Sequence, residues 1–458
     1  MLYLKKSLSI ILLLPPLVAL IFCGADLVMQ RHDCEETQVA VAICLTEHPV
    51  ALRSGHHAAS CCAVAADAAW RLSREGDFYA DDLIIIRYSS LDDIERELED
   101  SVNDMLGGID LSELEAFLSS LSAEQRAMFQ NQSFGAMVRR ILGGDNSLNY
   151  ENFGSYVMSL IFGRITFFVP LIITILAIVL AMSMLSAIKG KFAGKSVENI
   201  AHFASISIII ILVTTNVVLI IGQTVGIINA LQLQMNVVFP ILLTMMATVG
   251  ATSTVAVYQP SVVLLSGWII NLVTIAIIPT FIFSFVFAAV GSISKENRLS
   301  KLSDFFSTVC KWILGIVFFL FLAFLSLQGV TAAVYDGISI RTARFAISRY
   351  VPIIGGYLSE GFNLMLAGGV LIKNAVGMGA VILLIVSILP VVINIIVFSL
   401  SLRLAAALCE PLGADSRISD YLHTVSKHMN VLLAILLGVA FLYFIFVMLI
   451  IFTGNMVF

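Results

Sequence analysis

Seven side chains near the N-terminus have the types and spacing from which a metal site or a disulfide frame is built: Cys34, Cys44, His48, His56, His57, Cys61 and Cys62. Cys44 and His48, like His57 and Cys61, stand four residues apart, so on helices each pair would present two ligands from one face. The run of spacings matches no zinc signature. Four cysteines in an exported segment serve equally well as disulfides or as unpaired thiols. All three uses stay open, and no metal ligand is assigned.

A second charged set lies near the C-terminus, at Glu410, Asp415, Arg417 and Asp420. Two carboxylates beside an arginine imitate an acid/base pair, but no metal-ligand spacing accompanies them. The expected role is a solvated loop that contacts a cytoplasmic partner or the ends of its own helices. A third pair, Glu360 and Lys373, interrupts an apolar stretch; the two meet if the chain folds back, and otherwise Lys373 snorkels to the interface. The chain has no Walker loop, no HExxH, no GxSxG and no Gly-x-Gly-Asp. No catalytic residue and no cofactor are assigned.

The elements that must position these residues are set by composition. The chain is 59% hydrophobic and 12% charged, with a mean hydropathy of +0.98. Soluble domains are about 25% charged, so most of this chain belongs in lipid. The fold class expected is all-α: a polytopic integral membrane helix bundle with a small extracytoplasmic α-helical region at its N-terminus. The net charge of −5 is unevenly divided. Residues 26–163 carry 23 acids and 9 arginines with no lysine, and residues 164–458 carry 15 basic residues against 8 acids. So acidic an N-terminal third argues against nucleic acid as a partner.

Residues 1–25 read as a signal peptide or N-terminal anchor: Lys5 and Lys6 precede an apolar run broken by Pro15 and Pro16. Residues 26–90 form the Cys/His-containing segment, expected outside the cytoplasm. Residues 91–163 read as short amphipathic helices. One stripe runs through Leu91, Ile94, Leu98, Val102 and Met105. A second runs through Leu111, Leu114, Phe117, Leu118 and Leu121 behind a capping box of Asp110 and Glu113. A third runs through Phe134, Met137, Val138, Ile141 and Leu142. These helices are expected to pack on each other as a small domain or lid, or to dock an extracytoplasmic partner.

Residues 164–458 form the membrane domain, with seven apolar tracts at 165–188, 204–229, 236–257, 260–290, 312–335, 375–402 and 430–453. Each is long enough for the ~30 Å hydrocarbon core, and none carries Asp, Glu, Lys or Arg in its interior. Their polar content is Asn216, Gln223, Asn271, Asn394 and scattered Ser and Thr, which disfavours a proton- or ion-coupled pump. The stretch 350–379 is different: it holds seven glycines, Pro352, Glu360, Lys373 and two asparagines, and reads as a broken, re-entrant segment.

An internal repeat is expected. Residues 302–311 (LSDFFSTVCK) align without gaps on 418–427 (ISDYLHTVSK), identical at five of ten positions. Each copy follows an apolar tract with a central proline, Pro279 and Pro390, and before these come SGWIINLV and GGVLIKNAV. The repeats would cover 236–335 and 350–453, and would make Asn271 and Asn374 equivalent. If all seven tracts cross fully, Lys and Arg divide 7 to 7 between the two sides. If 236–257 turns back, they divide 10 inside to 4 outside, which the positive-inside tendency prefers.

Three motifs carry a resemblance. Pro352-x-x-Gly355-Gly356-Tyr357-Leu358-Ser359, Leu371-Ile372-Lys373-Asn374-x-Val376-Gly377 and Glu410-Pro411-Leu412-x-x-Asp415-x-Arg417-Ile418 together resemble the stage III sporulation protein AE family. The resemblance covers roughly 91–458. It implies a non-enzymatic, multi-pass protein of the mother-cell membrane around the forespore. The complex implied is secretion-like and joins the two cells, with other stage III sporulation membrane proteins and a forespore-side partner. Pro352, Gly355, Gly356, Lys373, Asn374, Gly377, Pro390, Glu410, Pro411, Asp415 and Arg417 are the residues expected to matter for assembly or passage. Two readings remain beside it: a secondary transporter or small-solute permease built on internal repeats, and a non-conducting membrane scaffold.

Overall fold

The computed structural model describes residues 111–121, 125–126, 132–143, 150–188, 195–293, 298–350, 355–413 and 415–455. The signal-like start, the Cys/His cluster, the first amphipathic stripe and Pro352 lie outside the described residues.

Two short helices, α1 (Ser112–Ser120) and α2 (Phe134–Leu142), precede the long ones: α3 (Tyr150–Ile188), α4 (Lys195–Thr248), α5 (Thr252–Val262), α6 (Ile278–Ile293), α7 (Arg298–Tyr350), α8 (Gly355–Cys409) and α9 (Ser416–Asn455). Between α5 and α6 the chain stays helical through π-helical stretches at Val263–Ile269 and Val273–Ile277. No strand occurs among the described residues. The class is therefore all-α. Six helical segments are long and apolar enough to cross a membrane: Phe153–Met184, Phe203–Thr248, Thr252–Ser292, Leu299–Ser326, Met365–Cys409 and Ser416–Thr453. The 54 residues of α4 run for roughly 80 Å at 1.5 Å per residue, so the longest helices project well past the ~30 Å core.

Six segments replace seven tracts because the tract 236–257 holds a reversal instead of a crossing. At the end of α4 the Ala251 N–H donates to the Met246 carbonyl and the Gly250 N–H to Ala247, at 2.9 and 3.0 Å. That pair of bonds is a Schellman stop, and it places Gly250 at φ +88°, where only glycine is comfortable. The next helix then starts under a cap from far along the chain. The buried Asp336 carboxylate on α7 accepts from the Ser253 N–H (2.9 Å), the Thr254 N–H (2.8 Å) and the Thr254 hydroxyl (2.6 Å). An acceptor with negative charge there satisfies amides that the first turn leaves without partners, and complements the helix dipole.

The same contacts order the two ends of the bundle. The Gly250 turn lies against Ile340 of α7, and Val249 lies against Gly369 of α8. At the opposite end a Cβ on Gly413, between α8 and α9, would lie 3.2 Å from Ser183 Oγ near the end of α3. There His428 of α9 meets Ser284 of α6 and Ser303 of α7. The C-terminal ends of α3, α6 and α8 thus lie at one end of the bundle, and the Gly250 turn lies with the later part of α7 and the earlier part of α8 at the other.

Two expectations are corrected. The stretch 350–379 is not re-entrant over its described part: α8 runs unbroken from Gly355 through Pro390 to Cys409, and α7 fills the preceding region to Tyr350. Nor do α1 and α2 pack only on each other. Leu114, Phe117, Leu118, Phe134 and Val138 are buried in the same core as the long helices. The start of α1 also differs, since its N-cap is Leu111 and no side chain caps it. The two aligned stretches, 302–311 and 418–427, occupy the first turns of α7 and α9.

Candidate functional site

α8 is the central helix, and a ladder of polar contacts runs along it. Lys373 is fully buried. Its Nζ donates to the carbonyls of Ile451 (2.9 Å) and Ile450 (3.3 Å), close to the C-terminus of α9. A cation bonded to carbonyls about one turn before the end of α9 lies towards the negative end of that helix's dipole and is well placed electrostatically. Snorkelling to the interface is overturned; the amine points inward because acceptors wait there. Asn374, next to it, is half-buried.

One turn along, the glycines explain themselves by packing. A Cβ on Gly377 would lie 2.6 Å from Ile451 Cδ1, and one on Gly369 2.7 Å from Val249 Cγ2. A Cβ on Gly379 would meet Met137 Cε at 2.8 Å and Phe134 at 3.0 Å. These residues are absent side chains that let α9, α4 and α2 approach α8 closely, the usual role of small residues between membrane helices.

Further along, Pro390 sits inside α8. A proline has no N–H, so the carbonyl four residues earlier, Val386, loses its main-chain donor. Gln125 supplies the replacement, donating Nε2 to Val386 O at 3.1 Å. Gln234 of α4 likewise donates to Ala380 O at 3.0 Å. Asn394 donates Nδ2 to Gln223 Oε1 of α4 at 2.7 Å, and Arg403 Nε to Ser426 Oγ of α9 at 2.7 Å. Asn271, expected to bond across helices, is exposed and turns back to Gly267 O of its own helix.

The charged loop of the C-terminal motif joins α8 to α9. Ser419 donates to the exposed Glu410 at 3.1 Å, and Asp415 accepts from the Arg417 N–H at 3.1 Å as α9 begins. Arg417 Nε stands 3.8 Å from Asp415 Oδ2, a partly exposed pair worth little energetically. Pro411 is exposed and Gly413 takes φ +78°. Glu410, Asp415 and Arg417 therefore shape the ends of their own helices. Gly355 and Gly356 open α8.

Sequence reasoning missed a third polar cluster. The Ser284 and Ser303 hydroxyls each lie 2.8 Å from the other residue's carbonyl and 3.0–3.1 Å from His428 Nε2, so each single proton is shared between a carbonyl and the ring nitrogen. His428 Nδ1 faces the Thr424 carbonyl at 2.8 Å, so Nδ1 carries the proton and Nε2 accepts. The cluster is buried and ties α6, α7 and α9 together. No signal in the local sequence could have found it, since its members lie 19 to 144 residues apart. Among the described residues no group of three or more His, Cys, Asp or Glu could hold a metal ion. What this arrangement does chemically is to satisfy polar groups between helices.

The comparisons agree with a membrane protein of sporulation. The family model described as stage III sporulation protein AE matches residues 132–454. Stage III sporulation protein AE of Bacillus subtilis (strain 168) is 23% identical over 341 residues, which cover 74% of this chain and 85% of that protein. No solved structure matches.

Proposed function

This chain belongs to the stage III sporulation protein AE family, and we propose that it is a multi-pass component of the membrane complex that joins mother cell and forespore. A sporulation role and a membrane location follow from the family and from the six apolar helices. The proposal adds the assembly: a place in the mother-cell membrane, contact with other stage III sporulation membrane proteins and with a forespore-side partner, and no enzymatic turnover.

The observation that carries this reading is that the family match, 132–454, takes in all six apolar helices. The hydrogen bonds of Lys373, Asn394 and Arg403 support it, because each ties α8 to a neighbouring helix. Sidedness follows the positive-inside tendency: the end at which α3, α6 and α8 finish faces the mother-cell cytoplasm, and residues 26–163 face the intermembrane space. Affinity purification of the full chain from sporulating cells tests the reading. Co-recovery of other stage III sporulation membrane proteins is expected, and recovery of none overturns it.

A further inference from the structure

At one depth of the bundle the outward faces are of two kinds. Val386, to which Gln125 bonds, marks that depth. It lies roughly 25 Å along α8 from Gly369, beside the Gly250 turn, and as far from Arg403, beside Ser426 of α9. α9 runs antiparallel to α8, so Gly438, as many residues from the Lys373–Ile451 bond as Val386 is, stands at the same level. Phe318 of α7 lies against Gly438, and around it α7 turns Ile316, Phe319 and Leu320 outward. Those large apolar side chains suit hydrocarbon. α1 and α2 reach the same depth with another surface. Phe134 lies against Gly379 and Leu111 against Gly135, so both helices begin near Gly379, itself roughly 15 Å inside the level of Gly369. Their inward faces are apolar, through Leu114, Phe117, Leu118 and Val138. Outward they expose Glu113, Glu115, Ser119, Ser120 and Arg139, with Arg126 beside Gln125.

We infer that the charged face of α1 and α2 borders a water-filled recess, which reaches the middle of the membrane domain and admits small hydrophilic ions. Ionised side chains at that depth face water or protein, not lipid. Their own length does not rescue them, since neither a glutamate nor an arginine spans the distance to an interface. A protein covering the face would have to supply Glu113, Glu115, Arg126 and Arg139 each with a buried counter-group, or leave a charge unpaired at high cost. Water solvates all of them. A second observation lies at the same level. The Ser387 hydroxyl, next to the carbonyl that Gln125 holds, is buried with no hydrogen-bond partner among the described residues. Buried groups of that kind are the ones internal water satisfies.

Labelling of introduced thiols tests the recess, in the full chain and in membranes opened on both sides, with modification read at the substituted residue by peptide mass spectrometry. Glu115→Cys and Ser119→Cys are expected to react with a charged, membrane-impermeant methanethiosulfonate about tenfold or more faster than Phe319→Cys. Equal rates overturn the inference. Slow reaction at all three means that lipid or protein covers the face, and fast reaction at all three puts this level of the bundle outside the membrane. Reaction of Glu115→Cys only after detergent is added overturns it too. A second readout needs no thiol. Ser119→Arg is expected to accumulate in membranes like the unsubstituted chain, whereas Phe319→Arg is expected to fall several-fold. Equal loss in both overturns the recess.

Discussion

Gln125 donates its side-chain amide to the carbonyl of Val386, 261 residues away, at 3.1 Å. Pro390 is the reason that carbonyl is available: with no N–H four residues on, the helix cannot satisfy it. The bond fixes the N-terminal helical region to the central helix, and converts a helix defect into a tertiary contact.

That relationship is testable by a double-mutant cycle. Gln125→Leu is expected to lower stability by about 1–3 kcal/mol, because a buried acceptor is left unmatched. In a Pro390→Ala background the restored N–H takes the Val386 carbonyl, and the same substitution should cost much less. Thermal melts of the four proteins in detergent provide the measurement. Equal losses in both backgrounds would sink the idea.

Gly377 should behave as a packing residue. Gly377→Ala drives a methyl into Ile451 and is expected to cost about 1–3 kcal/mol through overpacking. Combining it with Ile451→Ala makes room and should recover part of that loss. Gly163, where a Cβ meets nothing within 4 Å, is the control, and Gly163→Ala should leave the melting temperature unchanged or slightly raised, since alanine also favours the helix.

Lys373 is expected to be replaceable by an apolar side chain of similar length but not by an acid. Lys373→Met removes a buried charge along with its desolvation cost, and the protein should still accumulate in membranes. Lys373→Glu sets a carboxylate against the Ile450 and Ile451 carbonyls at a negative helix end, and steady-state protein in sporulating cells should collapse. Normal abundance of Lys373→Glu would show that the amine is not held where the structure places it.

Asp336 should act as a cap delivered from another helix. Asp336→Ala removes three hydrogen bonds from the start of α5 and is expected to cost about 1–2 kcal/mol. Asp336→Asn keeps an acceptor and should cost less. Proteolysis at the Gly250 turn, followed in membranes opened to protease, should accelerate in the order wild type, Asn, Ala.

The reversal at Gly250 falls in the tract that the 10-to-4 charge division turns back, although hydropathy and length alone suit a crossing. The tract 236–257 looked long enough to cross a membrane, yet a helix stop and a helix start lie inside it as Thr248-Val249-Gly250-Ala251-Thr252-Ser253. Gly at a C-terminal cap followed by Thr and Ser is a turn signal even in an apolar run. The glycines of 350–379 misled in the opposite direction. Their density suggests breaks, whereas α8 is continuous from Gly355 onward, and at Gly369, Gly377 and Gly379 it is close packing that excludes a side chain.

By itself the sequence determined the class of this protein: all-α, largely in lipid, acidic before residue 164 and basic after it, with motifs shared with a sporulation family. Those properties follow from hydropathy, charge and short-range spacing, which belong to residues near one another in the chain. Tertiary structure alone decided that Asp336 caps α5, that Lys373 points inward, that Gln125 answers Pro390 and that Ser284, Ser303 and His428 meet. Each joins groups on separate elements, and a buried polar atom takes its partner from whichever helix packing brings within about 3 Å.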